Sequence, residues 1–407
     1  MEQPLCVPPP LRGTDPGSFA ERTVRERWPR IVAQTIQVND FPASINKRLR
    51  ALHDELPDGP IRPLQDPGAP DLRLWNEWIA PYLGETWASA PWLFAEHYLY
   101  RRILEATGYF QPGPTHLLDP FRKQKTAALD PSAEAVAMLA RAANERATCP
   151  EQARAHLPLL LLTSLWGNQI DLSMWSADKA PRHLGTTRET AHLLVNETEA
   201  AHAHLEAIAP ARVDLLADNA GFELLCDLVL IDGLLAAGYA HTVVLHLKAH
   251  PTFVSDALIA DVLELLSRLA NASDSAPRLL AKRLRSHIAA GHLQLTDSFI
   301  WNCPLPMRAF PALPHAELAR SDLVIAKGDA NYRRLVDDAH WPFTTPFAEV
   351  VSYFPAPLLV LRTLKAEVVV GLEETRIGEV ASRDPEWLTN GHWGVIQFYC
   401  PPRPVSP

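Results

Sequence analysis

The sequence "RVDLLADNAGFELLCDLVL" (residues 212–230) contains an apolar segment that stops at two adjacent polar residues, Asp218 and Asn219, and resumes after Gly221. The first apolar segment has the length of a buried strand, and the second has the length of a helix. Neighbouring side chains on a strand point to opposite faces of the sheet. Asp218 and Asn219 can therefore face one ligand only if the strand ends there and the chain turns into the helix.

The chain after Pro210 repeats this alternation of short strands and helices. Strands are predicted at 212–219, 241–248, 321–329 and 358–365. Helices are predicted at 221–237, 257–270, 276–290 and 330–338. Strands that alternate with helices favour a mostly parallel sheet that is covered on both faces. The predicted fold class is therefore α/β, with a three-layer Rossmann-like sheet.

The first half of the chain has a helical pattern almost throughout, from about residue 17 to residue 208. Pro- and Gly-rich segments such as 56–70 and 111–120 separate the predicted helices. A chain of 407 residues is long enough for two sizeable units. We predict an all-helical N-terminal domain (1–208) that covers the active site and an α/β catalytic domain (209–407).

Composition restricts the class of protein. A net charge of −9 argues against a nucleic-acid-binding protein, because such proteins need surplus Lys and Arg to displace counterions. The longest strongly apolar stretch, 157–166, is too short to cross a bilayer, and the N-terminal segment lacks the pattern of a secretory signal. The five cysteines are scattered, as in a reduced compartment. We expect a cytoplasmic protein that needs no nucleic acid, no membrane and no obligate protein partner.

Polar residues follow the predicted strands at their carboxyl ends, where ligands bind in a doubly wound sheet. Asp218 and Asn219 follow the first strand, and Asp256 follows the second after a short loop. The third strand ends in 327–329 and the fourth in 362–365. Each group has an ordinary structural explanation, such as an N-cap, a first-turn carboxylate or a solvated strand end. Their convergence at one edge of the sheet favours a shared site.

The side chains at this edge indicate a particular chemistry. Carboxylate and amide oxygens bind hard cations such as Mg²⁺ or Mn²⁺, whereas His246 and His250 straddle a strand end and are poorly placed to share zinc. The turn "KGDANYRRL" (327–335) offers backbone amides, with Lys327 and Arg333 nearby, for a phosphate. No GxSxG, Walker A or GxGxxG motif supports another common enzyme class. A metal cluster opposite a phosphate site predicts phosphoryl transfer chemistry.

Four segments in this order, "ADNAGFELLCDL", "PTFVSDA", "AKGDANYRRL" and "RTLK", resemble the metal-dependent damage-control phosphatases, formerly domain of unknown function 89. Specifically, they resemble the subfamily that carries an RTxK motif, and the similarity extends from about residue 20 to 400. The resemblance implies hydrolysis of small sugar phosphates such as fructose 1-phosphate or fructose 6-phosphate, in a damage-control or metabolite-repair role. It implies a divalent metal cofactor, Mn²⁺ foremost, with Co²⁺, Ni²⁺ or Mg²⁺ as alternatives. The expected partner is a small phosphorylated metabolite.

The resemblance also implies roles for individual residues. Asp218, Asn219 and Asp256 match the family's metal ligands, Lys365 matches the lysine of RTxK, and Glu223 matches the glutamate of the DNAGFE motif. Asp218, Asp256 and Lys365 are the predicted catalytic residues. The predicted substrate-binding residues are Asp218, Asn219, Glu223, Lys327, Gly328, Asp329, Ala330, Asn331, Tyr332, Arg333 and Lys365. Ala330 stands where many relatives carry a leucine, so the resemblance implies a pocket of different shape.

Other functions stay open on the sequence alone. A member of this family has been credited with S-adenosylmethionine-dependent protein-glutamate O-methyltransferase activity, but the chain lacks the usual Gly-rich adenosyl loop. A phosphatase dedicated to a secondary-metabolite pathway and a non-catalytic sugar-phosphate sensor are further alternatives. In the helical half, Asn168 and Asp171 are candidate sugar contacts, and helix capping is the ordinary explanation for both.

Overall fold

A computed structural model describes residues 5–127, 133–167 and 190–402 of the chain. Asn168 and Asp171, the candidate sugar contacts, lie outside the described residues.

A seven-stranded sheet forms the centre of the described structure, in the order β1-β7-β6-β5-β2-β3-β4. The strands are β1 (Leu193–Asn196), β2 (Ala211–Leu216), β3 (Ala240–Lys248), β4 (Leu293–Ser298), β5 (Leu323–Lys327), β6 (Leu358–Thr363) and β7 (Gly394–Tyr399). Strands β2 to β6 pair in parallel, β7 is antiparallel to β6, and β1 is parallel to β7. The predicted mostly parallel α/β fold is confirmed.

Each of the four predicted strands is present, whereas β1, β4 and β7 were not predicted. Strand β4 ("LQLTDS") is a half-exposed edge strand with few apolar residues, which explains its weak signal. Strands β1 and β7 pair with each other at the opposite end of the sheet. Strand β1 has only four residues and lies inside the segment that was predicted to be helical, up to residue 208.

Helices precede the sheet and connect most of its strands. In the first half they are α1 (Phe19–Arg22), a π-helical turn (Thr23–Arg27), α2 (Trp28–Val38), α3 (Ala43–Glu55), α4 (Leu72–Ile79), α5 (Trp92–Thr107), α6 (Arg122–Ala127), α7 (Ala133–Ala147), α8 (Pro150–Ala155) and α9 (Leu157–Trp166). In the second half they are α10 (Thr198–Ile208), α11 (Phe222–Ala236), α12 (Ile259–Ala270), α13 (Ser275–Ala289), α14 (Ala312–Leu318), α15 (Gly328–Leu335), α16 (Phe347–Val350) and α17 (Glu374–Arg383). Short 3₁₀ turns lie at Ala80–Tyr82, Phe299–Asn302 and Met307–Ala309. No described helix has both the length and the apolar character that a bilayer crossing requires.

Two hydrophobic cores cover the two faces of the sheet. Val324 and Val360 point into one core, together with tryptophans of the first helices such as Trp28. Ile325 and Leu361 point into the other core. This alternation along β5 and β6 is the period of two that a strand imposes on its side chains. Both faces are therefore buried, which explains why these strands are almost wholly apolar.

The helical first half of the chain contributes to both faces. Helices α7 and α9 pack against α11 in the second core, whereas the tryptophan-rich helices of the first half belong to the first core. Strand β1, at 193–196, lies in the sheet although it precedes the predicted boundary at residue 208. The division into units 1–208 and 209–407 stays a prediction.

Candidate active site

The strand order changes direction between β2 and β5. The chain leaves β2 toward β3 and β4 on one side, and it leaves β5 toward β6 on the other. In an open α/β sheet, ligands bind at this switch point, beyond the carboxyl ends of the strands. Asp218 lies two residues after β2, and Gly328 lies directly after β5. The topology therefore brings the two principal predicted segments to one place.

Gly328 permits the close approach of these two segments. Its φ is +83°, and a Cβ atom at this position would lie 2.0 Å from Oδ2 of Asp218. Such a distance is far inside van der Waals contact, and positive φ is costly for residues other than glycine. The carboxylate of Asp218 thus lies against the backbone at the start of α15.

The loop after β3 brings Asp256 to the same place. The Ala257 amide donates to the Asp218 carbonyl at 2.8 Å, and the Ala220 amide donates to the Ser255 carbonyl at 2.7 Å. These bonds form an isolated antiparallel bridge between Asn219 and Asp256. Two segments that are distant in the sequence are therefore fixed side by side by their backbones.

Side-chain hydrogen bonds extend this cluster. The Asn219 amide donates to Oδ2 of Asp218 at 2.8 Å and to Oε2 of Glu223 at 3.0 Å, and its oxygen accepts from the Ser255 hydroxyl. Glu223 lies in the first turn of α11, as predicted. Asn219 therefore links the carboxylates of its own segment to the loop that carries Asp256.

The two aspartates of the cluster are buried, and the pKa of each is raised. Burial, with the charges of Glu223 and Asp256, raises the pKa of the Asp218 carboxyl well above its usual range. Burial raises the pKa of Asp256 to about 6, although the nearby Lys248 ammonium lowers it. Oδ2 of Asp256 has no hydrogen-bond partner among the described residues, and Nζ of Lys248 lies 3.4 Å away. Buried acidic oxygens that lack donors are suited to bind a cation.

An N-cap is the ordinary explanation for Asp256 and Ser255, which precede an apolar helix in the sequence, but neither residue caps that helix. Helix α12 begins at Ile259, three residues beyond Asp256. The carboxylate of Asp261 accepts the Leu258 amide at 2.8 Å and so caps the helix instead. Asp256 is thus free of the structural role that its position in the sequence suggested.

The loop between β3 and Asp256 is strained and tightly held. Phe253 and Val254 both have positive φ, 51° and 67°, which is unusual for bulky or β-branched residues. The buried amide of Asn302 donates to the His250 carbonyl at 2.9 Å and to the Thr252 hydroxyl at 2.7 Å. Such strain persists only where the surroundings determine the conformation. Asn302 therefore positions the loop that delivers Asp256.

Lys327 lies inside the protein rather than in the cleft. Its ammonium lies 3.3 Å from Oδ1 of Asp227 and 3.6 Å from Oε1 of Glu223, and it donates to the Ser164 carbonyl. Burial would lower the pKa of Lys327, but the charges of Asp227, Glu223 and Asp218 raise it above its ordinary value. The Lys327 side chain thus neutralises the acidic cluster from the interior of the protein. A direct contact with a phosphate would require the ammonium to leave Asp227, Glu223 and the Ser164 carbonyl.

Arg362 organises the turn that carries Lys365. Its Nε and Nη2 atoms lie 2.9 and 2.7 Å from Oδ1 of Asp329, and it also donates to the carbonyls of Val368 and Ala366. Burial raises the pKa of Asp329, but Arg362 outweighs this effect and holds it below the ordinary value. The Lys365 side chain is exposed, its charge lowers the pKa of Asp218, and it has no ion-pair partner in the described part of the chain. Lys365 is therefore a free cation beside the acidic cluster.

Two members of the predicted substrate segment are buried in α15. The Asn331 amide donates to the carbonyls of Ala217 at 3.1 Å and Lys327 at 2.8 Å, and the Tyr332 hydroxyl accepts from the Val370 amide at 3.0 Å. These bonds fasten α15 to the strand ends. Ala330, by contrast, is half-buried.

Arg333 is held by two carboxylates inside the protein. Asp338 accepts from Nε and Nη2 at 2.7 and 3.0 Å, Glu96 accepts from Nη1 at 2.6 Å, and the guanidinium lies 3.6 Å from the centre of the Trp92 ring. A direct phosphate contact would require Arg333 to leave both carboxylates. Its position instead ties α15 to α5.

Several residues that build the site were not among the predicted catalytic, metal-binding or substrate-binding residues. Lys248, Asp227, Ser255, Asn302 and Arg362 all contact the cluster or its supporting segments. Lys248 ends a long apolar strand and Arg362 begins the RTxK motif, so both carried a signal. Asn302 is distant in the sequence and carried none.

Comparison with known proteins shows extensive similarity. A family model described as "Damage-control phosphatase ARMT1-like domain" matches residues 23–380. The damage-control phosphatase ARMT1 of Danio rerio is 33% identical over 449 residues, which cover 99% of this chain and 100% of that protein. The mouse protein of the same name is 32% identical over 431 residues, which cover 95% and 98% of the two chains. A solved DUF89 family protein from Pyrococcus horikoshii covers 94% of this chain and 99% of its own, at 13% identity and a TM-score of 0.45.

Proposed function

The chain belongs to the damage-control phosphatase ARMT1-like family, and we propose that it is a metal-dependent phosphatase that hydrolyses small sugar phosphates of the fructose 1-phosphate or fructose 6-phosphate type. The family predicted from the four sequence motifs is confirmed, and the relatives' name supports a phosphatase in metabolite repair. Placement in the RTxK subfamily stays a prediction. The observation that carries the proposal is the convergence of Asp218, Asn219 and Asp256 at the switch point of the sheet.

The donor set at this point fits a hard divalent cation. Burial raises the pKa of both carboxylates, the charge of Asp256 raises that of Asp218 further, and one of their oxygens lacks a hydrogen bond within the described residues. No group of three or more His, Cys, Asp and Glu side chains in the described ranges is arranged to hold a metal. The set therefore reaches three ligands only with the amide oxygen of Asn219. A half-turn of that amide would direct its oxygen to the side of the Asp218 and Glu223 carboxylates, where its nitrogen now lies. Such an all-oxygen set favours Mn²⁺ or Mg²⁺, and Co²⁺ and Ni²⁺ are the alternatives that the family resemblance adds.

The cation, when bound, would polarise the phosphoryl group and lower the pKa of a water ligand. The chain's own groups would bind and orient the ester. Lys365 has no ion-pair partner within the described residues, and its charge lowers the pKa of Asp218. We assign to it the neutralisation of the phosphate oxygens as the bond breaks. Asp329 and Arg362 fix the turn that presents Lys365. Lys327 and Glu223 support the cluster from the protein side.

The decisive experiment is release of inorganic phosphate from a panel of sugar monophosphates with Mn²⁺, Mg²⁺, Co²⁺ or Ni²⁺. We expect hydrolysis that EDTA abolishes and that excess Mn²⁺ restores. Lys365→Met should reduce kcat/KM by roughly 100- to 1000-fold, as loss of a single transition-state donor does in other enzymes. Lys282→Met, a change on α13 away from the site, is the matched control and should be neutral. Phosphate release that EDTA leaves unaffected would refute the metal-dependent mechanism.

A further inference from the structure

A cleft of about 660 Å³ lies between the first helices and the loop after β3. One wall is formed by residues from Phe19 to Gln34, on α1, the π-helical turn and α2, and the other includes Phe253, Val254 and Ser255. None of the residues in the first wall takes part in the catalysis proposed for this site.

This cleft adjoins both sides of the candidate active site. Ser255, in one wall, donates its hydroxyl hydrogen to the amide oxygen of Asn219. Phe19, in the other wall, donates its backbone amide to the Glu367 carboxylate at 2.7 Å, two residues beyond Lys365. The cleft is therefore one hydrogen bond away from Asn219 on one side and one hydrogen bond away from the segment that follows Lys365 on the other.

The lining of this cleft is strongly basic, although the whole chain carries a net charge of −9. Arg22, Arg27 and Arg30 line it, and Glu26 is the acidic residue among the lining groups. Glu26 pairs with Arg30 at 3.5 Å. Among the described residues, Arg27 has no ion-pair partner, and Arg22 contacts only the ring of Phe19, at 5.8 Å from its centre. Two guanidinium groups are therefore available to a ligand.

Apolar side chains strengthen the field of these arginines. Phe19, Ile31, Phe253 and Val254 line the same cleft and place half-buried apolar surface beside the exposed arginines. A concave site with charge of one sign and low-dielectric walls concentrates ions of the opposite sign. Arginine binds carboxylates and phosphates through a planar fork of donors, whereas a neutral hydroxyl group gains little from two guanidinium groups.

We propose that Arg22 and Arg27 form a second anion-binding subsite, so that the preferred substrate carries two anionic groups. One is the phosphoester at the catalytic cluster, and the other is a phosphate or carboxylate at the far end of a short sugar. The inference rests on the proposed phosphatase function and adds an order of preference, in which sugar bisphosphates and phosphorylated sugar acids are better substrates than the sugar monophosphates.

The test compares pairs of compounds that differ in the second group. Fructose 1,6-bisphosphate is compared with fructose 6-phosphate, and 6-phosphogluconate with glucose 6-phosphate, for both kcat/KM and binding. For the wild-type enzyme we expect kcat/KM to be about tenfold or more higher for the doubly anionic member of at least one pair, the effect of one charge-assisted contact. The double variant Arg22→Gln, Arg27→Gln should lose this preference.

Arg25→Gln is the matched control on the same helical turn. Arg25 does not line the cleft and pairs with Glu21 at 3.4 Å, so its variant should keep the wild-type preference. The subsite would be overturned if the wild-type enzyme had equal kcat/KM for both members of each pair. It would also be overturned if the double variant kept the wild-type preference for the doubly anionic member.

Calorimetric binding in EDTA separates this inference from the phosphatase proposal. If no compound is hydrolysed but the doubly anionic member of a pair binds more tightly through Arg22 and Arg27, the phosphatase proposal fails and the subsite stands. If the monophosphates are hydrolysed and the second charge changes neither binding nor turnover, the subsite fails and the phosphatase stands. If nothing binds and nothing is hydrolysed, both are overturned.

Discussion

At the scale of single residues, two carboxylates near one strand show how the site differs from the scaffold. Asp214, within β2, is buried and paired with Arg212 at 2.9 Å and His246 at 3.1 Å. Burial raises the pKa of Asp214, but these two partners outweigh it and hold the pKa below its usual value. For Asp218, four residues later, burial and the charges of Glu223 and Asp256 outweigh the opposing charges of Lys365 and Lys327, and the pKa is raised. The charge of Asp214 stabilises the fold, whereas the charge of Asp218 opposes it.

This contrast predicts opposite effects of the same substitution. A carboxyl whose pKa is raised by folding destabilises the folded state above the unfolded pKa, so Asp218→Asn should raise Tm at pH 7.5 in EDTA. Asp214 contributes stability above its unfolded pKa, which is lost as pH falls through the folded pKa, so Asp214→Asn should lower Tm. Thermal unfolding of both variants measures the difference. Equal destabilisation by the two substitutions would contradict the electrostatic account.

Gly328→Ala tests the close approach of α15 to Asp218. The added methyl group would overlap the Asp218 carboxylate, and the positive φ would cost roughly a further 1 to 2 kcal/mol. We expect phosphatase activity to fall to background, together with a loss of stability. Gly17→Ala is the control, because Gly17 has φ +75° and nothing within 4 Å of its added Cβ. If Gly17→Ala and Gly328→Ala show the same phosphatase activity and the same stability, the close approach of Gly328 to Asp218 is not important for either.

At the scale of secondary-structure elements, the loop after β3 determines where Asp256 lies. Its conformation depends on the positive φ of Phe253 and Val254 and on the hydrogen bonds of Asn302, which lies in the 3₁₀ turn after β4. The loop is therefore fixed from a neighbouring strand and not by its own sequence.

Asn302→Ala should release this loop. It leaves the Ala249 amide, which donates to Oδ1 of Asn302 at 2.8 Å, without its partner, at a cost of about 1 to 3 kcal/mol in the free energy of unfolding. Affinity for Mn²⁺, measured by calorimetry, should fall more than tenfold because Asp256 loses its position. Asn271→Ala, at the exposed end of α12, removes one local bond to Ser267 and should change neither quantity. Unchanged Mn²⁺ affinity in Asn302→Ala would show that the loop keeps Asp256 in position without the hydrogen bonds of Asn302.

The elements of the second half were predictable because each strand-to-helix unit is local in sequence. Helix α11 (Phe222–Ala236) was predicted within one residue at each end, since Gly221 and an apolar run define it. The start of α15 was not predicted correctly. Gly328 and Asp329 were assigned to the end of the preceding strand, but they belong to the helix. The burial of Lys327 and Arg333 could not be predicted from the sequence either, because the carboxylates that pair with them lie on α11, on α5 and in the segment after α15.

At the scale of the whole molecule, the site exists because of strand order. The alternating pattern predicts parallel strands, but it does not specify that β5 lies beside β2 and that β3 lies on the other side. That order places segments more than one hundred residues apart at the same switch point. Local motifs identified the participants, and only the topology explains why they meet.

The central claim is that Asp218, Asn219 and Asp256 hold one divalent cation. Its most direct test is an anomalous difference map from crystals of the protein grown with MnCl₂. We predict one strong peak within coordination distance of the carboxylates of Asp218 and Asp256 and of the Asn219 amide oxygen. No peak at the end of β2, or a peak that these three side chains do not contact in an enzyme that requires Mn²⁺ for turnover, would contradict the account.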